Sequence, residues 1–99
     1  MKITKTQNKS ALTFALEGRL DTTTSPELEK ELKASIDGID DLTFDFSALE
    51  YISSAGLRVI LAAQKIMNTQ GKMKVCGANA DIMEVFDITG FTDILTIEK

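Results

Sequence analysis

Histidine and tryptophan are missing from this sequence, and cysteine and proline occur once each, as Cys76 and Pro26. Each absence removes a class of function. Without histidine there is no Ser-His or Cys-His nucleophile pair, and the commonest metal ligand is gone. A single cysteine allows no intrachain disulfide. Cys76 lies in Met73-Lys74-Val75-Cys76, which reads as a strand, so it is expected to be a small core residue rather than a reactive thiol. No apolar run approaches the ~20 residues of a membrane helix, so direct membrane insertion is not expected. The N-terminal residues, Met1 to Gln7, contain no hydrophobic signal-peptide region, and the expected compartment is the cytoplasm. Lysines are scattered rather than clustered, and the net charge is −4. Binding to nucleic acid or to an anionic membrane is therefore not expected.

What remains suits one small domain over residues 1–99, with 43% apolar and 26% charged residues. Ile3 to Thr6 is a short strand, and Ala11 to Leu16 alternates with Leu12, Phe14 and Leu16 on one face. The two are spaced to pair as an antiparallel hairpin. Gly18-Arg19-Leu20-Asp21 ends the second strand, and Thr22 to Pro26 is a cluster of helix-start residues. Thr24 and Glu27 have capping-box spacing, and Ser25 with Pro26 is a second way to begin the same helix. Leu28, Leu32 and Ile36 form its apolar stripe, Glu29 and Lys33 an exposed pair, and Gly38 its stop. Leu42 to Phe46 is the next strand, and a long helix runs from about Ser54 to Thr69, with Gly71 after it. Met73 to Cys76 is a strand. Asn79 caps a short helix with Asp81 in its first turn and Gly90 at its end. Phe91 tucks back onto the core, and Ile94 to Ile97 is the last strand.

This order predicts an α/β fold. Its mixed sheet has an antiparallel start followed by parallel crossovers, with three to four helices packed on it. Functional groups then collect in the loops after the carboxyl ends of the strands. Three such loops, Gly18 to Ser25, Ser47 to Gly56 and Gly77 to Asn79, define one candidate surface.

Tyr51-Ile52-Ser53-Ser54-Ala55-Gly56-Leu57-Arg58 lies at its centre. With Ser53 as N-cap, Ile52 and Leu57 occupy the two positions of a hydrophobic staple, which supports that register independently. The Ser53 hydroxyl then serves a backbone N–H, a contact of ~1 kcal/mol. Ser54 is the first helical residue, and its hydroxyl has no structural task. Two uses of the pair stand on the residues alone: a plain helix start, or a displayed serine whose phosphate the positive helix end tolerates.

The chain resembles a STAS domain of the anti-sigma factor antagonists. Gly18 to Asp21 with the Thr/Ser-rich helix start resembles the family's first signature. Leu42-Thr43-Phe44-Asp45-Phe46-Ser47 through Tyr51 to Arg58 resembles its phosphorylation signature, the most specific of the three. Asn79 to Asp81 through Ile88-Thr89-Gly90-Phe91 resembles its C-terminal helix and turn. The resemblance implies a STAS-like fold and a non-enzymatic partner switch with no cofactor and no metal. The unphosphorylated protein binds an anti-sigma factor that is also a serine kinase, a GHKL-type ATPase, and frees the sigma factor. Phosphorylation on Ser54 separates the pair, and a PP2C-type phosphatase restores it. The implied partner surface comprises Asp21, Thr22, Thr23, Ser53, Ser54, Ala55, Gly56, Arg58 and Asn79. Many members carry an acidic residue where this chain has Ser53, which makes Ser53 the alternative acceptor. Both residue types cap helices well, and the capping argument favours Ser54.

Asp21 and Asp45 lack the base, metal set or phosphate-binding glycine loop of a catalytic site. Asp21 is expected to stabilise its loop, and Asp45 to face a hydrogen-bond partner. Leu49 and Tyr51 are expected to pack at the turn, and Arg58 to face the rim. Two further functions fit the same fold: a ligand- or nucleotide-sensing module, and an accessory subunit of a membrane transporter.

Overall fold

The computed structural model describes residues 1–98. Its elements are β1 (Lys2–Asn8), β2 (Ala11–Leu20), α1 (Ser25–Ser35), β3 (Asp41–Ile52), α2 (Ser54–Gln70), β4 (Lys72–Cys76), α3 (Ala80–Thr89) and β5 (Ile97–Glu98), with a 3-10 turn at Phe91–Asp93. The sheet order is β1-β2-β3-β4-β5. β1 and β2 pair antiparallel, and every later neighbour pairs parallel. Right-handed crossovers that always step in one direction place their helices on one face. The burial pattern agrees. Leu12, Phe14 and Leu16 of β2, Leu42, Phe44 and Phe46 of β3, and Met73 and Val75 of β4 are buried beneath the helices, while the residues between them are half-buried or exposed.

All five phenylalanines form one chain through this core. Ring centroids lie 5.7 Å apart for Phe14–Phe44, 6.2 Å for Phe44–Phe46, and 6.4 Å for both Phe46–Phe86 and Phe86–Phe91. That distance range suits aromatic pairs. Such burial holds the fold. The five ion pairs among the described residues involve side chains 31–79% exposed, and exposed pairs contribute only ~0–1 kcal/mol each.

Four expectations change. β2 continues to Leu20 and β3 to Ile52, so residues 18–20 and 47–52, which read as loop, are strand. The cause is two bulges. From Ala15 to Leu20 the β2 chain advances five residues while β3 advances seven, from Asp45 to Ile52. Each extra residue resets the alternation, so the buried positions of β3 run Phe46, Leu49, Ile52 instead of every second residue. Cys76 sits half-buried on the open face, because Met73 and Val75 take the core side of β4. The final strand is shorter than Ile94 to Ile97. Ile94 and Leu95 donate their N–H groups to the Phe91 carbonyl and close a turn, leaving Ile97–Glu98 to reach β4. At the first helix, Thr24 is the N-cap by position but makes no side-chain cap bond, its hydroxyl being engaged with Arg19 and Asp21.

Candidate functional site

The two extra residues of β3 carry its end level with the end of β2. Leu20 stands opposite Ile52, and the Ser53 N–H donates to the Leu20 carbonyl at 2.9 Å. Each bulge has its own clamp. At the first, the Asp45 carboxylate accepts from the Ser47 N–H at 2.9 Å and from the Ser47 hydroxyl at 2.6 Å. At the second, the Asn79 amide donates to the Leu49 carbonyl at 3.2 Å, while its oxygen accepts from the Ile82 N–H at 2.8 Å to cap α3. One side chain thereby fixes both the overhanging strand and the last helix.

α2 begins on this platform. Ser53 is the N-cap in extended conformation, its hydroxyl accepting from the Gly56 N–H at 3.4 Å. That bond is long, so its contribution belongs at the lower end of the capping range. Ile52 and Leu57, the staple positions, are both buried. Ser54 is exposed as the first helical residue, and its hydroxyl makes no hydrogen bond among the described residues. α1 and α3 carry Glu27 and Asp81 in their first turns; α2 carries no acidic residue there. The positive end of its dipole is therefore uncompensated by its own side chains.

Beside it, Asp21 shapes the loop after β2. Its carboxylate accepts from the N–H groups of Thr23 and Thr24 at 3.0 and 3.1 Å, and Arg19 lies 3.8 Å away. The Thr24 N–H foremost, helped by the Thr23 N–H, the Thr24 hydroxyl and Arg19, holds the Asp21 carboxyl below its ordinary 3.8, against desolvation, which is the second-largest influence. Thr22 and Thr23 are exposed. A groove of about 260 Å³ lies between the helix starts, lined by Thr22, Pro26 and Glu29 on one side and Ala55, Arg58 and Val59 on the other.

The family model of the STAS domain matches residues 2–99. This chain is a STAS domain. BtrV of Bordetella bronchiseptica, a candidate anti-sigma factor antagonist, is 36% identical over 98% of this STAS domain and 85% of its own length. An anti-sigma factor antagonist from Mycobacterium paratuberculosis superposes with a TM-score of 0.88 at 21% identity, covering 97% of this chain and 83% of its own. Bacillus SpoIIAA superposes alike in two states. The unphosphorylated form gives a TM-score of 0.80 at 13% identity, over 99% of this chain and 88% of its own. The phosphorylated form gives 0.78 at 14% identity, over 99% and 92%.

The expected partner residues of the STAS domain fall into three groups. Asp21, Thr22, Thr23, Ser53, Ser54, Ala55 and Arg58 border the start of α2, and all but the half-buried Asp21, Ser53 and Ala55 are exposed. Gly56 is buried beneath them, under Leu20 and Ile52, where it sets the height of the helix rather than offering a surface. Asn79 stands further down the rim beside Leu49, because β4 ends opposite Asp45. Leu49 is buried as expected. Tyr51 is not: it is 41% exposed, with the Arg19 guanidinium 4.2 Å from its ring centroid. An exposed contact of that kind contributes about 0.5–1 kcal/mol. Arg19 and Tyr51 are the surface pair that the sequence reading missed. The three-residue spacing Phe46, Leu49, Ile52 was the available signal, since it turns residue 51 outward.

Among the described residues, no group of His, Cys, Asp and Glu is placed to hold a metal ion, and no helix is long and apolar enough to cross a membrane. Burial, then the Asp45 charge, pushes the Cys76 thiol above its ordinary 9.0, with Glu98 adding to the rise and Lys74 opposing it, which lowers its thiolate fraction.

The clamp at the first bulge has a pH signature. The Ser47 hydroxyl and then the Ser47 N–H hold the Asp45 carboxyl below its ordinary 3.8, against slight desolvation. A carboxyl lowered in the folded state contributes stability that is complete above the unfolded value and is lost as pH falls through the folded value. Asp45→Asn is therefore expected to cost stability at pH 6 and to flatten the loss below pH 4. Urea denaturation at pH 6 and pH 3 checks this. Parallel falls in the two proteins would show that the clamp carries no charge dependence.

Proposed function

We propose that this STAS domain is a cytoplasmic anti-sigma factor antagonist that works by partner switching, with Ser54 as the switch. The observation that carries the reading is the exposed Ser54 hydroxyl, without a hydrogen-bond partner among the described residues, at the dipole-positive start of α2. The neighbouring serine is committed to the cap, so Ser54 is preferred over Ser53. The names of the relatives support the role.

In this reading the unphosphorylated turn, with Asp21 to Thr23, Ser54, Ala55 and Arg58, meets an anti-sigma factor and frees the sigma factor. The anti-sigma factor is a GHKL-type serine kinase. It transfers the γ-phosphoryl group of ATP to Ser54: the Oγ–phosphorus bond forms as the bond to the departing ADP oxygen breaks, and the hydroxyl proton passes to a base on the kinase. The STAS domain is the acceptor and supplies no catalytic group. The phosphate adds about −1.5 to −2 charge. The helix end tolerates it, but the partner surface then faces a dianion it must desolvate or repel, so the complex separates. A PP2C-type phosphatase returns the hydroxyl, with water replacing serine on phosphorus.

The test uses a preformed complex of sigma factor and cognate anti-sigma factor. Adding unphosphorylated protein is expected to release free sigma factor on size-exclusion chromatography, and adding the phosphorylated form to leave the complex whole. If both forms leave it whole, the proposed role is wrong.

A further inference from the structure

Ser54 and Arg58 occupy positions i and i+4 of α2, one above the other on the same helix face, with the serine on the N-terminal side. That is the favourable order for an acidic group and a cation on a helix. Both side chains are exposed, and Arg58 makes no ion pair among the described residues. The other charged groups around the turn include Arg19, Asp21 and Glu29, and, on the side of α3, Glu50 and Asp81. Arg19 is engaged by the Tyr51 ring and by Asp21. Glu29, across the groove from Arg58, is paired with Lys33 at 3.3 Å. The turn thus presents an uncommitted cation one helical turn beyond the acceptor hydroxyl.

We propose that Arg58 is the intramolecular partner of the phosphoryl group on Ser54. The inference rests on Ser54 being the phosphorylated residue and adds how the modified state is held. The planar guanidinium donates two parallel N–H bonds to phosphate oxygens, a geometry that a lysine cannot reproduce. Phosphorylation then does more than add charge. It draws Arg58 toward the helix start and away from the α1–α2 groove, so the phosphorylated surface loses a cation that the unphosphorylated surface displays. The pair also has a direction. Arg58 favours the dianion over the monoanion, so it lowers the second pKa of the phosphoserine.

The experiment is a phosphorus NMR titration of the full chain carrying phosphoserine at position 54, installed during translation without any kinase. The second pKa, ordinarily near 6, is expected to be about 0.2–0.4 unit lower with Arg58 present than in Arg58→Gln. Arg58→Lys should recover part of the difference, and Arg19→Gln should leave it unchanged. The side-chain N–H signal of Arg58 should titrate with the phosphate. Equal pKa values with and without Arg58 overturn the proposal, as does a difference that follows Arg19 instead. Because no kinase takes part, a kinase that ignores Ser54 sinks the switch reading alone, whereas equal titrations sink the Arg58 pairing alone. Circular dichroism of each variant separates either result from unfolding.

Discussion

Ser54→Ala is expected to abolish phosphorylation by the cognate anti-sigma factor kinase, and Ser54→Asp to lower affinity for that kinase by about 100-fold, or roughly 3 kcal/mol. Neither change should move folding stability by more than about 0.5 kcal/mol. The size of the first effect and the smallness of the second have one cause. The Ser54 side chain is exposed and makes no hydrogen bond among the described residues, so its loss removes no intramolecular contact. An acidic group at the first position of α2 meets a dipole that no acidic residue of its own first turn offsets, so the fold accepts it. The partner has no such compensation and must desolvate the charge. Ser53→Ala behaves in the opposite way. It should lose about 0.5–1 kcal/mol of stability, since it removes the cap bond to the Gly56 N–H, and should still accept phosphate. Tandem mass spectrometry of the phosphorylated chain, with calorimetry for affinity and urea melts for stability, reads all three quantities. Phosphate found on Ser53 would reverse the assignment of the two serines.

The register of the two serines was legible in the sequence because it depends on local chemistry. A cap residue, staple positions at Ile52 and Leu57, and a small residue between them are all encoded within six positions, and the structure keeps that register. The same holds for the cap at Asn79 and the left-handed Gly90 that ends α3. The order of strands and helices was readable for a similar reason, since each element carries its own periodicity. What was not readable depends on partners distant in the chain. The upper half of β3 looked like a loop because alternation fails after Phe46, and it fails because the strand is bulged against β2, which is shorter there. The hydroxyl of Thr24 left its capping role for Arg19 and Asp21, a competition that a capping motif does not reveal. Tyr51 was expected to pack because it is the large aromatic beside the turn. Its exposure follows from the second bulge and its cover from Arg19 on the neighbouring strand. Local rules thus specified the serine pair and its cap, and long-range pairing specified the platform that lifts them to the rim.

That platform accounts for the largest stability effect expected at the site. Gly56→Ala should destabilise the domain by about 2–3 kcal/mol, although it adds one methyl group to a helix and improves intrinsic helix propensity by ~1 kcal/mol. A Cβ at this position would lie 2.8 Å from Leu20 Cγ, 2.9 Å from Ile52 Cγ1 and 3.0 Å from the Leu20 carbonyl oxygen. Two of these atoms belong to buried core side chains that have no room to turn, and the third is backbone. The strain therefore has to be relieved by moving the start of α2 away from the ends of β2 and β3. That motion stretches the bond from the Ser53 N–H to the Leu20 carbonyl, which holds the serines beside the Asp21 loop. Stability and recognition should fail together: a lower urea midpoint, and weaker anti-sigma factor binding even under conditions where the variant remains folded. Ser54→Ala on the same background separates the two effects, because it should add nothing further to the stability loss. A Gly56→Ala protein with undiminished stability and partner affinity would mean that the close approach of α2 to Leu20 and Ile52 is not what sets the height of Ser53 and Ser54.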